Sequence, residues 1–247
     1  MSDDGEPQDH AADTDPSADQ PASDGAAEAP AEGVGWLPAI LAFSLLLTAC
    51  MFVCCGVTTY MLYQKRTELA ARTLSGHTIP SVDQSQLDPA DKQQINAMLG
   101  EVVADAEAGR LENWQASGVM NRLTRIPLLE WGDLAAIEAM IQADDAFDAE
   151  EKAEAEKQLS RLRQSIAMDK STIFDVGEVL APVLLKDESL RGRRLKNDPS
   201  KEELLEVIYR ARLIGERDGL EDRKFPDQSI TAIVRDAIQR GRTEGSR

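Results

Sequence analysis

Aromatic residues make up only 4% of this 247-residue chain, which has just three cysteines and two histidines. Three cysteines cannot form a disulfide framework for a chain of this length. The histidines, at positions 10 and 77, leave little material for imidazole catalysis or a His-rich metal site. The most uneven scarcity is of positive charge. All 27 Lys and Arg residues lie at or after Lys65, and the 44 acidic side chains bring the formal net charge to −17. Such a balance excludes a general nucleic-acid binder, which needs surplus Lys and Arg to neutralise phosphates. DNA is therefore not an expected partner.

Motifs that carry chemistry are equally scarce. No G-x4-G-K-[ST] or GxGxxG pattern offers a phosphate cradle, and no H-E-x-x-H or Cys/His cluster offers a metal site. Asp144-Asp145-Ala146-Phe147-Asp148-Ala149-Glu150-Glu151 has the acid density of a calcium loop but not its register. Counted from Asp144, alanines 146, 149 and 155 fall where a ligand, the turn glycine and the bidentate Glu belong. No catalytic residue, metal or cofactor is expected, and the chain reads as a non-enzyme.

Against these absences stand three regions. Residues 1–34 carry ten acids and no base among Ala, Ser, Pro, Gly and Gln. They hold too little apolar surface to offset conformational entropy, so an acidic disordered tail is expected. Residues 35–63 form an uncharged apolar run. As a helix, Trp36 to Tyr63 would span roughly 42 Å, enough for a hydrocarbon core and both interfaces. Trp36 at one end and Tyr60, Tyr63, Lys65 and Arg66 at the other are the expected membrane-interface anchors. The bilayer is thus the first expected partner.

Within the run, Leu47-Thr48-Ala49-Cys50 resembles the four-residue box preceding the lipid-modified cysteine of bacterial lipoproteins. It departs from that pattern in lacking a basic leader, in its late cysteine, and in the apolar Met51-Phe52-Val53 that follows. A retained anchor is the reading taken. Because basic residues flank only its C-terminal end, residues 64–247 are expected in the cytoplasm and the tail outside. Cys50, Cys54 and Cys55 all fall within the span. They are candidates for lipidation or for contact between two copies of the helix, which gives a weak signal of homo-oligomerisation.

Residues 64–87 read as a juxtamembrane helix and a linker broken by Gly76 and Pro80, and residues 88–247 as an all-α domain of six or seven helices. Asp88-Pro89 supplies an N-cap and a proline at the first helical position. Asp148 with Glu151 and Ser200 with Glu203 have capping-box spacing. Apolar stripes recur at three- and four-residue spacing, as in Ile95, Leu99 and Val102, in Leu134, Ile137 and Ile141, and in Ile230, Val234 and Ile238. Trp114, Val119, Leu123 and Trp131 are expected to point inward. The stripe Ala155, Leu159, Leu162, Ile166 has coiled-coil spacing over less than two heptads, so an exposed hairpin arm is another outcome. Ser171–Val176 is the only stretch where a short strand is expected at all.

One charge feature stands out. Residues 191–247 carry 14 bases against 11 acids, and Arg191, Arg193, Arg194 and Lys196 cluster in a loop after Lys186. They form a candidate patch for anionic partners, each charge contributing on the order of 1 kcal/mol near an anionic membrane surface. The alternative is a solvated loop paired with nearby acids such as Asp187 and Glu188. The sequence thus describes a single-pass, membrane-anchored helical protein that binds other proteins as a scaffold or signal-coupling element. Two alternatives are an exported, membrane-tethered helical domain at the cell envelope and a membrane-bound enzyme of unrecognised type.

Overall fold

The computed structural model of the protein describes residues 36–186 and 192–244. The expected acidic tail lies outside them, as does Arg191. The first element is α1 (Trp36–Gln64), apolar around its whole circumference, and every described side chain on it is exposed. It is long and apolar enough to cross a membrane. Two of its hydroxyls are satisfied within the helix: Ser44 Oγ donates to the Leu41 carbonyl at 3.0 Å and Thr48 Oγ1 to that of Ser44 at 2.7 Å. The chain divides within α1 into two units, residues 1–52 and 53–247.

Among its described residues the second unit is all-α apart from one hairpin. It runs α2 (Arg66–Thr73), a π-helical turn (Leu74–Thr78), α3 (Ile79–Asp83), α4 (Pro89–Glu107), α5 (Asn113–Leu123), α6 (Leu128–Ala143), α7 (Ala149–Ala167) and α8 (Ile173–Leu180). A 3-10 turn (Ala181–Val183), strands β1 (Leu184–Lys186) and β2 (Arg193–Leu195), α9 (Lys201–Arg217) and α10 (Ile230–Glu244) follow. Caps place the helix starts as expected. Asp88 accepts from Ala90 N at 2.8 Å, Asp148 from Glu151 N at 2.8 Å, and Ser200 from Glu203 N at 3.3 Å. Gly109 and Gly219, at φ 69° and 70°, follow the ends of α4 and α9 in the left-handed conformation that terminates a helix.

In packing, α2, α4, α5 and α10 group together, as do α6, α7, α8 and α9, and α3 touches α4 and α6. A single apolar cluster running from Ala70 to Ile238 joins the two groups, so the helices share one core. The α7 stripe is buried, with Leu159 and Leu162 fully so, because α6 and α9 cover it. It is neither a coiled coil nor an exposed arm. Trp131 is in the core, whereas Trp114 is only half-buried.

Two sequence expectations need correcting. Ser75–Leu87 is not a linker: it is largely helical, and with Leu74 it gives Val82 and Leu87 to the core. The physical reason is phase. A continuous α-helix would turn Ser81 inward, seven residues or about two turns after Leu74, together with His77. The π turn has i→i+5 pairing and holds an extra residue, which adds Val82 to the apolar core and packs Ile79 against it while Ser81 stays buried. The strands form at Leu184–Lys186 and Arg193–Leu195, paired antiparallel with Leu184 opposite Leu195, rather than at Ser171–Val176. The latter segment instead opens α8, where Thr172 N donates to Asp175 Oδ2 at 2.7 Å.

Candidate functional site

The residues flanking the C-terminal end of the apolar helix interact with one another. Arg66 lies over the Tyr63 ring at 4.7 Å, Gln64 donates to the Tyr60 hydroxyl at 2.7 Å, and Lys65 pairs with Glu68 at 2.9 Å. The Lys65 hydrogen bond holds the Glu68 carboxyl below its ordinary range. Trp36 stands fully outward at the other end. Cys50, Cys54 and Cys55 are free thiols, all exposed on α1.

The basic cluster is not assembled as four bare cations. Strand alternation puts Arg193 and Leu195 on one face of β2 and Arg194 on the other. Arg193 Nη2 donates to Glu130 Oε1 at 2.8 Å, and Lys196 pairs with Glu203 while also donating to the Pro182 carbonyl at 2.9 Å. Glu130 is distant from Arg193 in sequence, Glu203 is seven residues from Lys196, and the nearby acids Asp187 and Glu188 lie outside the described residues.

Glu130 borders a hollow in the domain. It sits in the first turn of α6 with its side chain 3% exposed. A hollow of about 140 Å³ opens beside it, bounded by Leu74, Ser81, Met120, Leu128, Glu130 and Ile173 among others. The π turn and α3 form one wall, α5 and its following turn another, and α6 with the start of α8 the rest. Its lining is mostly apolar, yet Ser81 and Glu130, both buried, each keep a polar atom (Oγ and Oε2) without a hydrogen-bond partner. Such orphaned atoms are uncommon in a folded interior.

A wider, shallower groove of about 590 Å³ adjoins the hollow and shares Thr124 and Ile173 with it. Phe174, Leu184, Leu185 and Arg193 line this groove. Phe174 is 80% exposed and Leu185 40%, although both are apolar. The Glu130–Arg193 pair links the two spaces, since Glu130 lines one and Arg193 the other. Gly177 makes room for the Arg193 guanidinium, because a Cβ there would meet Nη1 at 3.2 Å.

Two other buried polar groups brace the fold. Arg161, 2% exposed, donates to Gln158 at 2.7 Å and to the Leu220 carbonyl at 2.8 Å, which ties α7 to the end of α9. Asp218 accepts from Ser171 at 2.7 Å and also from Ser165, and pairs with Arg217 at 2.8 Å. Burial pushes the Asp218 carboxyl up, but these donors outweigh it and hold the group below its ordinary value. Asp222 joins the first group, 3.2 Å from Arg161, and Asp175 joins the second through Arg217, while among the described residues no imidazole joins either. Among the described residues, no three His, Cys, Asp or Glu side chains are placed to hold a metal ion.

No family model, curated protein or solved structure matches this chain. A functional reading therefore rests on its own residues. Sequence reasoning named Arg193 but missed Glu130 and Ser81. The proximity of an acid at 130 to a base at 193 leaves no mark in local spacing, and only the apolar neighbours Leu128 and Leu129 hinted at its burial.

Proposed function

We propose that the protein is a single-pass membrane protein that presents a helical protein-binding domain at the bilayer, as a scaffold or signal-coupling element. Residues 64–247 lie on the cytoplasmic side and the acidic tail outside. The observation that carries the anchoring is α1, whose uninterrupted apolar side chains are exposed at every described position. Orientation is supported by Lys65, Arg66 and Arg72 at one end, with no basic residue at the other. A binding role is supported by the groove around Phe174 and Leu185, where large apolar side chains stand in water beside a charged residue.

Both parts are open to experiment in the full chain. A reporter active only in the cytoplasm, fused at the C-terminus, gives signal, and the same reporter at the N-terminus gives none. The reverse pattern would instead describe an exported, tethered domain. A photoreactive amino acid at position 174 yields a discrete cross-linked adduct with a different protein in cells, and one at Leu213, exposed on α9, does not. Equal or absent adducts at the two positions would remove the groove as a binding surface.

A further inference from the structure

We propose that the outward face of α9 pairs two copies of this chain side by side. Residues four apart on a helix form rows slightly inclined to its axis. The outward row of α9 is Leu205, Tyr209 and Leu213, which are 37%, 46% and 42% exposed although all three are large and apolar. The opposite face, with Leu204, Val207, Ile208 and Ala211, already packs in the core, so the outward row is not needed to hold the domain together. Single exposed apolar residues are ordinary, but three in one row make a stripe suited to a partner.

Charge selects the occupant. On one side of the stripe the next row is Glu202, Glu206 and Arg210, and on the other it is Ile208, Arg212 and Glu216. Within the rows, Arg210 pairs with Glu206 at 2.8 Å and Arg212 with Glu216 at 3.5 Å, and Arg212 lies over the Tyr209 ring at 5.1 Å. A two-fold axis along the stripe brings the apolar rows together and sets each charged row beside the opposite row of the second copy. Glu206 then faces the partner's Arg212, and Arg210 faces the partner's Glu216, so all four positions meet the opposite sign. An axis across the stripe would instead set Glu206 against the partner's Glu206 and Arg212 against the partner's Arg212. A single helix face is smaller than the roughly 800 Å² per partner of a standard interface. The pairing therefore depends on α1 holding both copies in one bilayer at high effective concentration, and to that extent it rests on the anchoring proposed above.

The test uses full chains carrying a donor or an acceptor fluorophore at the C-terminus, reconstituted in liposomes, with co-flotation reading the anchoring separately. The original chains show energy transfer that falls as lipid is added. Glu206→Arg and Arg212→Glu each place like charges opposite one another across the two-fold axis. Each variant alone therefore needs roughly tenfold higher surface density for half-maximal transfer. Mixed in equal amounts, the two variants regain the original level, because each supplies the sign that the other has lost, and this recovery also shows that both are folded. Undiminished transfer in either variant alone would overturn the proposal, since the contact would then lie elsewhere, as in α1. So would a mixture no better than either variant, or an absence of transfer between original chains that co-float with the liposomes. Chains that fail to co-float would refute the anchoring itself, and the membrane-held pairing with it.

Discussion

At the residue scale the domain depends on glycines whose partners lie far away in sequence. Helices α5 and α10 approach so closely that a Cβ on Gly118 would lie 2.2 Å from the Gly241 carbonyl oxygen. One on Gly241 would lie 2.5 Å from the Val119 backbone. No rotamer relieves a clash with backbone, so Gly118→Ala forces the helices apart and costs about 2–3 kcal/mol. Gly100 in α4 has nothing within 4 Å, so there alanine only improves helix propensity, by about 0.5–1 kcal/mol. Thermal melting of the full chain in nanodiscs therefore separates the two substitutions in sign. Destabilisation of similar size at both positions would discount the close approach. Little of this was legible beforehand. The inward positions of Val119, Leu134 and Ile137 follow from helical spacing alone. What Gly118 does depends on where residue 241 lies, and Glu130 among 44 acids becomes distinctive only once Arg193 is seen beside it.

At the scale of elements, what local chemistry dictates was readable and what tertiary phase dictates was not. Asp88, Asp148 and Ser200 announced their helices because a cap acts within three residues. The three-residue strands β1 and β2 are too short to show alternation, and their pairing is set by the core beneath Leu195. Gly76 and Pro80 suggested a break, yet Pro80 falls in the first turn of α3, where its missing donor costs little. The extra residue of the π turn makes a sharp prediction. Deleting exposed Gly76 leaves Ile79 and Val82 four and seven positions after Leu74, the phase an α-helix needs, so the deletion changes stability by less than about 1 kcal/mol. Inserting an alanine at the same point throws Val82 out of phase and costs on the order of 3 kcal/mol, as for loss of a buried aliphatic side chain. Denaturant unfolding of the two variants checks this. A deletion as damaging as the insertion would mean that the π turn is not what sets the phase.

For the whole molecule, the total charge of −17 hides the feature that matters, which is that every basic residue follows the apolar helix. If that asymmetry sets orientation, the residues closest to α1 carry most of the effect, and Lys65→Glu with Arg66→Glu should weaken it. The expected outcome is a mixed population, in which a C-terminal reporter loses a substantial part of its cytoplasmic signal and an N-terminal one gains it. Neutralising acids of the tail should change neither, because acidic residues contribute little to orientation. The interpretation is protected by where these two bases sit. Lys65 is 62% exposed in its pair with Glu68, and such a solvent-screened surface pair adds little to stability. Arg66 stacks on Tyr63 and has no place in the buried core. The double substitution therefore leaves the melting of the helical domain within a few degrees of the original, and a shift in reporter signal reports orientation rather than unfolding. Unchanged signals at both termini, with the domain intact, would show that the folded mass of residues 64–247 decides the side of the membrane and that the basic flank does not.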